Sequence, residues 1–184
     1  MAIIDTVQQY LGSSQVNEIS RQLGVDQNTT QRAISTALPM ILGGLAGHAA
    51  QPQGAATIKQ ALATHENATE NIQQLVQSGP PADVGVSGGL LGRIFGGHRD
   101  TVEQGVQQAS GLDPDKTKKL LMMLAPIVLG VLARRQFGGQ NAQQADPGQL
   151  QTELQREAQT AAKESPHVGG LLGKILGAVE TPRA

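Results

Sequence analysis

Leu120 to Ala133 reads LLMMLAPIVLGVLA, and this stretch decides the fold. It is apolar on every side for 14 residues, short of the roughly 18 that a bilayer-spanning helix needs. A helix without a polar face is a buried central helix. Pro126 lies inside it, where a proline removes one backbone hydrogen bond and bends the helix. Upstream, Val102, Val106 and Ala109 line one face of a shorter helix, which Gly111 ends in a left-handed turn. Asp113 then caps the long helix, and Pro114 takes its first position, where the missing donor costs nothing.

The same order of signals occurs earlier in the chain. Shifted by 87 positions, Gly24 to His48 aligns with Gly111 to Arg135 without a gap, and eight of the 25 pairs are identical. Composition alone would give roughly two. The identities include Gly24/Gly111, Asp26/Asp113, Thr30/Thr117 and Pro39/Pro126. Val16, Ile19 and Leu23 form the stripe of the short helix, Gly24 ends it, and Asp26 caps the helix that carries Pro39. This predicts an all-α, multihelical protein in which two related units pack through kinked apolar central helices, Thr30 to Ala46 and Thr117 to Ala133. Burying each Leu or Ile side chain there is worth about 1.5–3 kcal/mol.

Composition agrees with helices. The 184 residues include no Trp, one Tyr and two Phe, so the core is built from Leu, Ile, Val, Met and Ala, and strands would want more aromatic and β-branched residues. The absence of Cys excludes disulfides, thiolate metal sites and a cysteine nucleophile. Lys and Arg number 14 against 15 Asp and Glu, a balance that argues against a protein coating nucleic acid. The opening Met1-Ala2-Ile3-Ile4-Asp5 lacks a basic segment and meets an acid at once, so it does not read as a signal peptide.

A second echo, at an offset of 81, pairs GGLLGRIFG (88–96) with GGLLGKILG (169–177), with seven of nine positions identical. Glycine recurs every four residues in each, at Gly88, Gly92 and Gly96 and at Gly169, Gly173 and Gly177. In a short helix this spacing suggests close backbone approach. Ile94 and Phe95, or Leu172, Ile175 and Leu176, broaden an apolar face beside it that is too greasy to leave in water. These eleven residues are the candidate interaction residues.

Organisation follows. Residues 1–77 form the first unit, with Ile3, Ile4, Val7 and Leu11 marking its first helix and Ile58, Leu62, Ile72, Leu75 and Val76 two later ones. Residues 78–87, with Ser78-Gly79-Pro80-Pro81, are a linker, and 88–138 are the second unit. Residues 139–184 comprise a Gln-rich linker, an amphipathic helix with a thin stripe at Leu150, Leu154, Ala158 and Ala161, and the second glycine-spaced segment. That amphipathic helix reads as a partly detached tail.

Site chemistry is sparse. His48, His65, His98 and His167 lie in separate segments, and His65-Glu66 lacks the second histidine of a zinc-protease motif because position 69 is Thr. Asp113-Pro114-Asp115 starts like a calcium loop, but Lys118 stands where its turn glycine must be. Gly92-Arg93 and Gly173-Lys174 lack phosphate-loop spacing. No catalytic residue, metal, cofactor or small-molecule substrate is expected.

The leading reading is a non-enzymatic helical protein that acts through self-association, as a homo-oligomer, or through a protein partner. One alternative is nucleic-acid binding. Val16 to Ile34 scans in part as helix-turn-helix, with Arg32 on the second helix and Lys116, Lys118 and Lys119 on its counterpart. Thr30 falls where that motif needs an apolar residue, and solvated helix ends explain the cations more simply. A further alternative is membrane-surface association through the GGLLG segments.

Leu23-Gly24-Val25-Asp26, the A-L-P-M-I-L-G-G-L-A run, G-G-L-L-G-R-I-F-G-G, and S-G-L-D-P-D-K through L-L-M-M-L-A-P-I-V-L-G-V-L-A together resemble the YidB-like bacterial proteins, a family of unknown function. The resemblance covers Met1 to Gly139. It implies an all-helical cytoplasmic bacterial protein and supplies no catalytic residues. The segment from Gln140 onward lies beyond it.

Overall fold

The computed structural model describes residues 2–65, 67–79, 89–137, 146–164, 170 and 173. Its helices are α1 (Ile3–Tyr10), α2 (Ser13–Leu23), α3 (Gln27–Ala49), α4 (Gly54–His65), α5 (Ile72–Ser78), α6 (Leu90–Phe95), α7 (Arg99–Ser110), α8 (Pro114–Phe137) and α9 (Pro147–Glu164), with a 3-10 turn at Gly96–His98. The chain is all-helical, with no strand among the described residues.

Local chemistry sets the two longest helices. Gly24 and Gly111 adopt φ of 64° and 74°, the left-handed conformation that glycine enters without a Cβ penalty. Asp26 then accepts the Thr29 backbone N–H at 2.9 Å and its hydroxyl at 2.6 Å. These bonds, the hydroxyl first, hold the Asp26 carboxyl below its ordinary pKa. Asp113 accepts the Lys116 N–H at 3.3 Å in the same way. Thr30 and Thr117 are fully buried, and their hydroxyls donate to the carbonyls of Asp26 and Asp113 at 3.0 and 2.9 Å. A polar side chain therefore sits one turn into each apolar helix without an unsatisfied group.

Both long helices carry an internal proline, Pro39 in α3 and Pro126 in α8. They touch each other, but most of their cover comes from elsewhere. α3 lies against α2, α7 and α9, and α8 against α1, α4 and α7. The cover is reciprocal: α4, which follows α3, packs on α8, whereas α9, which follows α8, packs on α3. Gly130 admits the α4 side closely, since a Cβ there would stand 3.1 Å from both Ala68 Cβ and the Thr69 nitrogen.

α9 is not a detached tail. Leu150, Leu154, Ala158 and Ala161 are all buried, and the helix packs along α3 and also meets α4. A thin stripe suffices because the α3 surface beneath it is apolar and supplies the rest of the contact. Glu157, also buried, ties three elements: it accepts the Ile3 N–H at the start of α1 at 3.0 Å and pairs with Arg135 of α8 at 3.2 Å. Glu157→Ala strands a buried amide and removes the partner of Arg135, so it is expected to cost about 2–4 kcal/mol in urea unfolding. Glu157→Gln, which retains an acceptor, is expected to cost less than half of that. Equal losses for the two variants would show that the hydrogen bond to Ile3 is immaterial.

Among the described residues, no helix is long and apolar enough to cross a membrane.

Candidate interaction site

The first glycine-spaced segment forms α6, a helix of six residues. It is too short to be stable alone, so its seat must hold it. Leu91 is 4% exposed, and Ile94 and Phe95 are 0% exposed, packed against α3, α4, α7 and α8. The Phe95 ring fills a notch made by a missing side chain, because a Cβ on Gly44 would stand 2.5 Å from Phe95 Cδ1 and 3.1 Å from Val102 Cγ2. The ring and Gly44 are therefore a matched pair.

Beyond Phe95 the chain turns at Gly96, with φ of 52°. A Cβ at Gly96 would stand 2.5 Å from His48 Nδ1, so both conformation and space require glycine there. Gly92 differs: among the described residues, no atom lies within 4 Å of the position its Cβ would take. Close approach is thus made at Gly96 and, from the other side, at Gly44, and does not run along the glycine stripe. Arg93 points to solvent.

Gly88 lies outside the described residues, as do Gly169, Leu172, Ile175, Leu176 and Gly177. Gly173 is exposed, and no atom of the described residues lies within 4 Å of where its Cβ would be. Gly44 is the residue that sequence reading passed over. Gly43 has Gly130 as its counterpart at the offset of 87, but Gly44 faces Val131. At this position the two aligned stretches differ, and it is here that the Phe95 ring packs.

The candidate nucleic-acid residues are differently disposed. Arg32 is exposed on α3 and Lys118 is half-buried on α8. Lys116 pairs with Asp113 at 3.4 Å. Lys119 donates to the Gln22 carbonyl at 2.9 Å, closing the last turn of α2. That carbonyl would otherwise lack a partner within its helix. Two of the three lysines thus serve local structure. Arg134 reaches Tyr10 Oη at 3.1 Å and Glu70 at 3.0 Å.

A polar cleft between α2 and α5, lined by Ser14, Gln15, Glu18, Gln73, Val76 and Gln77, encloses about 70 Å³. Ligand pockets run to about 300–1,000 Å³. Among the described residues, no three His, Asp or Glu side chains converge as metal ligands.

A family model described as a bacterial protein of unknown function (DUF937) matches residues 5–135. The chain belongs to this family. YidB is also a DUF937 member, in keeping with the resemblance carried by the proline-containing helices. No curated protein and no solved structure matches the chain. The DUF937 match takes in α6 and its seat and ends within α8, so α9 and the second glycine-spaced segment extend the family region.

Proposed function

We propose that this DUF937 protein is a non-enzymatic, cytoplasmic helical protein that acts by association, with itself or with a protein partner, through residues 169–177. The observation that carries this reading is α6. Its nine-residue pattern buries Leu91, Ile94 and Phe95 against neighbouring helices, and the second copy repeats seven of the nine residues, with Leu172, Ile175 and Leu176 at the matching positions. A sequence that docks in one place has the means to dock in another.

The reading includes an internal duplication with bent central helices. At the offset of 87 found between α3 and α8, α1 also falls on α6, matching Ile3/Leu90, Ile4/Leu91 and Val7/Ile94. The similar glycine turns, aspartate caps and buried threonines add support, as does the crossed packing of α4 and α9. On this view the chain has two units, each opened by a short apolar helix, and 169–177 repeats the sequence of the second opener.

Light scattering coupled to size exclusion tests the reading. The wild-type chain is expected to gain mass with concentration, and Ile175→Asp to stay monomeric with an unchanged melting temperature. A wild-type chain that remains monomeric over a wide concentration range, and binds no protein partner, overturns the association reading. A mass gain that survives Ile175→Asp removes 169–177 from it.

A further inference from the structure

The corner between α3, α6 and α7 carries a half-buried histidine whose surroundings on balance favour its neutral form. His48 lies in the last turn of α3, and its Nδ1 is buried with no hydrogen-bond partner. That atom faces Gly96, which has no side chain to offer it and leaves room for none. An imidazolium must donate from both ring nitrogens, and Nδ1 finds no acceptor here.

The charges around the ring point the same way. His98, on the 3-10 turn that joins α6 to α7, repels a proton on His48, whereas the hydrogen bond with the Gln51 side chain favours the charged ring and is outweighed. The adjoining elements carry Arg93 on α6 and Arg99 and Asp100 in the first turn of α7, where Arg99 pairs with Glu103 at 2.8 Å. Among the described residues, His98 is the ionisable group acting on His48. A helix C-terminus ordinarily favours a cation. Burial outweighs it and, with His98, holds His48 below the usual histidine range.

We propose that the His48–Gly96 contact is an acid-sensitive latch: protonation of His48 loosens α6 and the 3-10 turn from α3 and uncovers Leu91, Ile94 and Phe95. The latch stands on the His48 corner alone and does not depend on association through 169–177. α6 is the element that gives way because six residues have little helical stability of their own. The sign follows from linkage. A histidine whose folded pKa is lowered contributes stability that is fully present above its unfolded pKa of about 6.5 and is lost as pH falls below that value.

Hydrogen exchange resolved to residues 89–98, corrected for intrinsic rates, reads the latch at pH 7.5 and 5.5, a window above the titration of ordinary carboxyls. The wild-type chain is expected to open up to about ten-fold more at the lower pH, since the open form gains a proton that the closed form refuses. His48→Gln is expected to abolish that rise, and His98→Gln to reduce it. The His48 ring signals are expected to titrate below about 6.5. Equal protection at both pH values in the wild-type chain, or an equal rise in His48→Gln, overturns the latch. If His48→Gln does not fold, the ring titration decides: a midpoint at or above about 6.5 overturns it.

Discussion

Phe95→Ala is expected to lower the unfolding free energy by about 3–5 kcal/mol, the range for deleting a fully buried aromatic side chain. The ring is 0% exposed and rests on Gly44, so its removal leaves a cavity that neighbouring side chains fill poorly. The partner substitution acts in the opposite sense. Gly44→Ala drives a methyl group to 2.5 Å from the ring, and such overpacking costs about 1–3 kcal/mol. Because the two residues share one notch, their effects will not add. In Gly44→Ala the change Phe95→Leu, the residue found at the matching position of 169–177, is expected to recover part of the loss. Urea unfolding of the two single variants and the double variant checks this, and strict additivity would mean that the ring and the notch are not in contact.

Ending the chain after Phe137 is expected to abolish cooperative unfolding. The DUF937 match closes at Arg135, yet the α9 residues Leu150, Leu154, Ala158 and Ala161 are buried in the same core as α3. Two leucines at about 1.5–3 kcal/mol each, together with the α3 surface they cover, approach the whole stability of a domain this size, about 5–15 kcal/mol. The truncated chain also leaves the Ile3 amide and Arg135 without Glu157. Circular dichroism melting and dye binding report the outcome. A sharp transition near the full-length melting temperature would show that α9 is an ornament to a core complete without it.

Much of the fold was legible because its signals are local. Gly24 before Asp26 and Gly111 before Asp113 mark helix boundaries through backbone conformation and capping, which depend on a few neighbouring residues. The apolar runs around Pro39 and Pro126 read as buried because no face of them is polar. That same uniformity hid their partners: a helix apolar all round does not say which helix covers which side. Hence the thin stripe of α9 reads as peripheral, and the sequence does not show that α4, α7 and α9 sheathe the two long helices. At the candidate site Ile94 and Phe95 were legible as residues too apolar for water. Their seat was not, because Gly44 lies about fifty positions upstream and stands beside Gly43, from which nothing local distinguishes it. The lysines misled in the other direction. A charge counted in a sequence looks available, whereas Lys119 is engaged with a carbonyl 97 residues earlier in the chain.

The reciprocal cover of the two long helices sets a timetable for synthesis. α3 is complete at Ala49, but the helix that shelters one of its flanks ends at Glu164. At roughly 5–20 residues per second, a nascent chain carries α3 partly bare for on the order of ten seconds. In that interval the flank of α3 that packs on α9 stays uncovered, even after α7 and α8 have been made. A slow stretch of translation anywhere between the end of α3 and the end of α9 lengthens that exposure by its own duration, whereas one before Ala49 adds nothing to it.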